Sequence, residues 1–199
     1  MATLASLLIV MGMDTTGVTA GAAKAETDEV ELVRRAAVDA AATAALYQRY
    51  VARVYRFLRV RCSSADEAAD LTQQVFLKMA EALPRYRERG VPFAAWLFRI
   101  ARNAAIDHAR RHRATVPWDS LTQAAAPDDV EAWVLDRETR ARVGALLAAL
   151  SSDERELLSL RFAAGLSSRE IAAVVGKSEA AVKKRLTRTI QRLKERSNG

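Results

Sequence analysis

One local signal recurs along this chain and restricts what it can fold into: a serine followed three residues later by an acid. Ser167–Glu170 and Ser151–Glu154 have this spacing, and Ser63 or Ser64 has it with Asp66 or Glu67. The serine oxygen accepts an amide hydrogen that the first turn of a helix leaves unpaired, and the acid reaches back to the serine's own amide. Behind each pair, apolar residues recur at helical spacing. They are Ala68, Leu71, Val75, Phe76 and Met79 in one segment, Leu157, Leu158, Leu160 and Phe162 in another, and Ile171, Val174 and Val175 in the last. No stretch shows the long alternation of a strand. An Ala-rich, Gly-poor composition with four prolines agrees. The expected fold class is all-α.

The stretch Ser167–Arg196, SSREIAAVVGKSEAAVKKRLTRTIQRLKER, says most about function. Gly176 suits the left-handed end of a first helix, and Ser178 suits the cap of a second. In the second, Val182, Leu186, Ile190 and Leu193 face a core, while Lys183, Lys184, Arg185, Arg188, Arg192 and Lys194 lie opposite. Two helices joined by a tight Gly-containing turn, the second one basic, form a helix-turn-helix. A helix fits the major groove of B-DNA, where its exposed N-terminal residues meet base edges and flanking cations meet phosphates. Taken alone, the stretch also fits a solvated basic helix in an ordinary bundle.

The net charge of +7 and pI near 10.0 fit a polyanionic partner, and the charge is sorted along the chain. Arg85–Arg113 holds eight arginines against two acids, and Val182–Arg196 seven bases against one acid. Ala114–Asp136 holds five acids and no base. Cys62 is the only cysteine, which excludes an intramolecular disulfide and a cysteine-based metal centre. His108 and His112, the only histidines, lie within an arginine run and are read as part of a nucleic-acid-facing surface rather than a metal pair. No cofactor and no metal are expected. An enzyme acting on DNA would need a nucleophile or a carboxylate metal cluster in a pocket. The clustered acids Asp66, Glu67 and Asp70 sit on an exposed helix face instead, so no catalytic residue is assigned.

In chain order, residues 1–40 form an N-terminal extension. Its apolar run Leu4–Met11 is too short to span a membrane, and Lys24 is the first basic residue, so a secretory signal is not expected. Little order is expected before Val30. Glu31–Val60 reads as helix, with Leu46, Tyr50, Val54, Phe57 and Leu58 inward and Arg49, Arg53, Arg56 and Arg59 outward. The capped helix that follows stops at Pro84 and exposes Asp66, Glu67, Asp70, Gln73 and Gln74. After the loop Arg85–Pro92, a long helix spans Phe93–Arg113. Phe93, Trp96, Leu97, Ile100, Ala104 and Ile106 serve the core, and Arg99, Arg102, Asn103, Arg110 and Arg111 face outward. Arginines beside aromatics suit a single-stranded nucleic acid, though the spacing of Trp96 and Phe98 makes those two packing residues. The expected architecture is two small helical domains, residues 41–113 and 137–199, joined by a flexible acidic linker at 114–136. Trp118 and Trp133 suggest that parts of the linker lie against a surface.

Two segments carry a family resemblance. They are DEAADLTQQVFLKMAEALPRYRERGVPFAAWLFRIARNAAIDHARRHR and LSSDERELLSLRFAAGLSSREIAAVVGKSEAAVKKRLTRTIQRLKE. With Leu46–Arg61 they cover most of residues 44–196, and they resemble the sigma-70 family of bacterial transcription initiation factors, specifically the small extracytoplasmic-function (ECF) group. The resemblance implies a cytoplasmic, non-enzymatic protein that binds core RNA polymerase, directs it to a two-part promoter and helps open the DNA. It implies that Asp66, Glu67, Asp70, Gln73 and Gln74 meet the clamp helices of polymerase. The melted minus-ten element would meet Arg85, Arg87, Arg99, Arg102, Asn103, Asp107 and Arg110. The minus-thirty-five duplex would meet Lys183, Lys184, Thr187 and Arg188 through bases, with Ser178, Arg185 and Arg192 nearer phosphates. An anti-sigma factor that hides the polymerase-binding surfaces is the further partner implied, and the acidic linker would imitate nucleic acid in the polymerase RNA channel. The chain departs from the family at Ala180–Ala181, where Gly-Thr is common, and in its longer N-terminal extension. The alternative is a helix-turn-helix regulator that acts without polymerase. It leaves the 66–79 face and the 85–113 arginines without a role.

Overall fold

A computed structural model describes residues 22–87, 90–113 and 146–198, and every regular element in them is helical. Helix α1 spans Ala22–Ala36, α2 Ala40–Arg59 and α3 Ala65–Ala82; a 3-10 turn at Leu83–Arg85 follows, then α4 at Phe93–Arg113. The C-terminal module comprises α5 at Ser152–Phe162, α6 at Ser168–Val175 and α7 at Glu179–Asn198. The acidic stretch 114–136, with Trp118 and Trp133, lies outside the described residues.

The capping signals act as the spacing predicts. Ser64 caps α3 through the Glu67 amide, while the Glu67 carboxylate accepts the Ser63 amide at 2.9 Å and the Ser63 hydroxyl at 2.5 Å. Ser151 with Glu154 and Ser167 with Glu170 form complete capping boxes at α5 and α6. Each cap is worth about 0.5–2 kcal/mol, so the starts of three helices follow from local chemistry. At Gly176 the backbone turns left-handed (φ 69°), which ends α6 and lets Ser178 cap α7. That is the expected helix-turn-helix.

Two expectations are corrected. Order begins before Val30: α1 starts at Ala22 and packs on α2, burying Val33 and Ala36 and bringing Glu29 to the Tyr50 hydroxyl. The helical run from Glu31 is also broken at residues 37–39, where Asp39 accepts the Ala41 amide at 2.9 Å and starts α2. An aspartate followed by alanines is a weak signal in sequence, because its capping role depends on the chain reversing there.

Tyr50, Val54, Phe57 and Leu58 of α2 pack with Leu71, Val75 and Met79 of α3 and with Phe93, Leu97 and Phe98 of α4. Edge-to-face contacts Tyr50–Phe93 and Phe57–Phe98, both at 5.5 Å, tie α2 to α4. Leu157, Leu158, Leu160, Ile171, Val182 and Leu186 fill the C-terminal module. The buried side chains of both modules belong to one continuous cluster. The two modules are packed together along α4 and α6.

Candidate polymerase and promoter surfaces

Helix α3 presents Asp66, Asp70, Gln73 and Gln74 to solvent, since Ala68, Leu71, Val75 and Met79 turn its other side inward. Glu67 belongs to the same stretch but is half-buried and committed to the Ser63 cap. A shallow groove separates α3 from α4. Glu67, Asp70, Leu71 and Gln74 line one end with His108 and Arg111, and Lys78, Asp107 and Arg110 extend it. Glu67 and Asp70 of α3 thus lie opposite His108 and Arg111 of α4, while the extension also holds Lys78 of α3 and Asp107 of α4.

His108 is not the solvent-facing residue its arginine-rich surroundings suggest. It is half-buried, with Nε2 3.5 Å from the Glu67 carboxylate. One ligand atom each from Cys62, Glu67 and His108 lies within 4.8 Å of the others, the one such group of three among the described residues. The donor set would suit a divalent ion in composition. However, Glu67 already serves the cap, and burial pushes the Cys62 thiol up to about 11, so at neutral pH it is a protonated, inert core residue. The trio holds the α2–α3 turn against α4.

The residues expected at the melted strand divide into two sets. Arg99, Arg102, Asn103, Asp107 and Arg110 share one face of α4, an arc of about 140° at 3.6 residues per turn. Asn103, Asp107 and Arg110 are exposed, with Arg110 3.3 Å from Asp107. Arg99 and Arg102 are engaged elsewhere: the Arg99 guanidinium donates to the Ala173 carbonyl at 2.8 Å, and Arg102 forms a two-pronged pair with Glu156 at 2.8 and 3.1 Å. Both acceptors are in the C-terminal module. Arg85 and Arg87 are exposed on the loop before α4, and Arg87 folds back on the carbonyls of Pro84 and Tyr86. Tyr86 shapes that loop: its hydroxyl donates to the Val91 carbonyl, and its ring packs 4.8 Å from Trp96. Trp96 is half-buried and Phe98 fully buried, as packing residues should be. Ile106, expected in the core, is exposed (45%), because it falls on the same face of α4 as Arg99, Asn103 and Arg110.

Sequence reasoning also missed Arg53 and Arg61. Arg53, read as outward, lies over the Tyr50 and Phe98 rings and donates to the carbonyls of Ala164 (2.8 Å) and Gly165 (3.3 Å). Gly165 (φ 65°) turns the chain so that these carbonyls face α2. Arg61 stacks 3.8 Å above the Phe57 ring and donates to the Ser159 hydroxyl at 2.5 Å. Burial lowers its pKa to about 10, which still leaves it charged at neutral pH. Arg59, also read as outward, is buried. Nothing in a helical arginine spacing tells which member will meet another module.

In α7, Val182, Leu186, Thr189 and Leu193 are buried, so Lys183, Lys184, Arg185, Thr187 and Arg188 form the exposed face together with the cap residue Ser178. Lys183 pairs with Glu179 one turn earlier, at 2.7 Å. Arg192 is tied to Glu154, and Arg185 approaches the same carboxylate at 4.0 Å. Glu154 is buried (6% exposed) and also accepts the Ser151 amide and the Thr189 hydroxyl. The Ser151 amide bond, followed by the Arg192 and Ser151 side chains, holds its carboxyl at about 2 against an ordinary 4.5. One carboxylate thereby joins the start of α5 to the middle of α7 and fixes the angle of the recognition helix.

The profile of Sigma-70 region 2 matches residues 46–115, and that of Sigma-70, region 4 matches residues 140–193. SigD of Mycobacterium tuberculosis, described as an ECF RNA polymerase sigma factor, is 37% identical over 150 residues, 71% of this chain and 70% of SigD. RpoE of Cereibacter sphaeroides, described likewise, is 31% identical over 85% of this chain and 94% of its own. The chain belongs to the ECF sigma factors. BldN of Streptomyces coelicolor, another ECF sigma factor, is 36% identical over 82% of this chain and 65% of BldN. Among solved structures, CnrH in complex with the cytosolic domain of CnrY aligns at a TM-score of 0.61, with 26% identity, over 84% of this chain and 95% of CnrH. RpoE of Bartonella quintana, solved with the anti-sigma factor NepR, aligns at 0.60 with 27% identity over 77% and 94%. An ECF sigma factor is a non-enzymatic initiation factor that binds core RNA polymerase and promoter DNA. With a region 2 beside the helix-turn-helix of region 4, a regulator acting without polymerase is not favoured. Among the described residues no helix is long and apolar enough to cross a membrane.

Proposed function

We propose that this sigma factor divides its work among three surfaces and acts in the cytoplasm, with its polymerase and promoters. The exposed face of α3, Asp66, Asp70, Gln73 and Gln74 with Glu67 at its start, docks on core RNA polymerase. Arg85, Arg87 and the α4 face from Arg99 through Asn103 and Asp107 to Arg110 hold the melted minus-ten strand. Their cations follow the phosphates, while the Tyr86-pinned loop offers a place for an unstacked base. Lys183, Lys184, Thr187 and Arg188 read the minus-thirty-five duplex, and Ser178 and Arg185 lie toward its phosphates. Arg192 serves chiefly as the anchor of α7. The observation that carries this reading is the sorting of exposed charge: acids and amides on α3, cations on α4 and α7, each backed by a buried apolar face. An anti-sigma factor is the further partner, supported by the likeness to two sigma factors solved with bound partners.

The test is transcription in vitro with purified bacterial core polymerase on a genomic promoter library, with and without the protein. New start sites sharing a two-part motif support the assignment. The double change Asp70→Ala, Gln74→Ala should abolish capture of core polymerase and leave duplex binding intact. Unimpaired polymerase capture would remove α3 from the docking role.

A further inference from the structure

The face of α4 assigned to the melted strand carries one residue whose chemistry that assignment leaves unused. Ile106 is 45% exposed, and among the described residues it is the only large hydrophobic on α4 exposed to that degree. It follows Arg102 and Asn103 by one turn and precedes Arg110 by one turn, so it lies inside the strand-facing arc rather than at its edge. Asn103, Asp107, Arg110 and Arg111 around it are exposed as well. A single apolar residue on a surface means little by itself. Its meaning here comes from what the rest of the face lacks.

A melted strand offers a protein its phosphates and the flat faces of its unstacked bases. The cations of α4 serve the phosphates. Base faces are commonly met by aromatic rings, and α4 has none to spare. Phe93 and Phe98 are buried, and Trp96 is half-buried with Tyr86 at 4.8 Å and Phe93 at 5.4 Å. Ile106 is the apolar surface that remains. Isoleucine and leucine do meet bases in this way where proteins hold distorted DNA, as wedges between base steps. Ile106 stands ten positions after Trp96, about 15 Å further along α4 at 1.5 Å per residue. It is therefore well separated from the loop that Tyr86 pins.

We propose that Ile106 is a base-contacting residue of α4, its side chain packing on the flat face of one unstacked base of the melted strand, a different base from the one received at the Tyr86 loop. The inference rests on the strand assignment made above for α4. Because every base presents such a face, the contact tolerates any sequence. The arginines hold the strand by its charge, and Ile106 keeps one base from restacking on its neighbours.

The test uses the protein bound to purified core polymerase, with core polymerase alone as the baseline. Two fluorescein-labelled probes are compared: an oligothymidylate 20-mer and a 20-mer of the same sugar-phosphate backbone without bases. Ile106→Ala should weaken oligothymidylate binding roughly 5-fold, the low end for a base contact, and bind the abasic probe as wild type does. Its salt dependence should match wild type, because no charge is lost. Ile106→Leu should restore oligothymidylate binding. The site is exposed and alanine favours helix, so the variant keeps the fold. Undiminished oligothymidylate binding by Ile106→Ala, an equal loss on both probes, or no recovery in Ile106→Leu would overturn the proposal. Arg110→Ala tests the underlying assignment separately: it should weaken both probes and reduce the salt slope by about 0.7. That result beside an unaffected Ile106→Ala keeps the strand on α4 and removes Ile106 from it. No effect of Arg110→Ala on either probe counts against the α4 assignment, whatever Ile106→Ala does.

Discussion

Glu154→Gln offers a quantitative check on how the recognition helix is held. The residue is 6% exposed, and its carboxylate is shared by the Ser151 amide, the Ser151 and Thr189 hydroxyls and Arg192. Its carboxyl sits at about 2 instead of 4.5. A gap of about 2.5 units at about 1.36 kcal/mol each makes the ionised form worth about 3 kcal/mol to the folded state. Glutamine keeps one acceptor oxygen, so the variant should lose about 2–3 kcal/mol at pH 7. For a chain of this size that lowers Tm by about 5–10 °C. The sign of the pH dependence follows from the depressed value: the stabilisation is complete above 4.5 and is lost as pH falls from 4.5 toward 2. Thermal unfolding followed by circular dichroism should therefore show a constant gap between wild type and variant above pH 5. That gap should shrink steadily below 4.5 and nearly close at pH 2. A gap that is small at pH 7, or that persists unchanged at pH 2.5, would refute the assignment of Glu154 as the charged tie between α5 and α7.

Three further outcomes are expected. Gly176→Ala meets no atom within 4 Å at its new methyl, so its cost is the left-handed backbone alone, about 1–2 kcal/mol by denaturant unfolding. Cys62 should resist alkylation by iodoacetamide at pH 8 in the native protein and react at once in urea, because its thiol is buried and pushed up to about 11; rapid labelling of the folded chain would contradict this. Arg188→Ala should cost about 1–3 kcal/mol on the selected minus-thirty-five sequence and relax the preference there if it reads a base. A uniform loss on all duplexes, with a smaller salt dependence, would move it to a phosphate.

The element boundaries that were legible are those fixed by chemistry within four or five residues. Ser64, Ser151 and Ser167 with their acids start helices, Pro84 closes α3, and Gly176 turns the chain, because each bond is made between neighbours in sequence. The exposed faces of α3 and α7 were legible for a related reason: apolar spacing identifies the buried side, and the opposite side follows from the period. Asp39 shows the limit. Its cap is equally local, but nothing around it in sequence distinguishes a chain reversal from a continuing alanine-rich helix.

The partner of each arginine was decided only by tertiary structure. Arg49, Arg53, Arg56 and Arg59 look alike in sequence, yet Arg59 is buried, Arg53 crosses to Ala164, and Arg49 and Arg56 face water. Arg102 is paired with a carboxylate 54 positions away. A guanidinium is long, always charged and able to donate in several directions. Helical spacing alone therefore marks it only as unsuited to an apolar core. Which acceptor it finds depends on how one helical module is laid against another, and that is set by the continuous apolar cluster between them. Sequence by itself determined the helices, their caps and the charge each face would carry. The packing of the modules determined which of those charges are free for DNA.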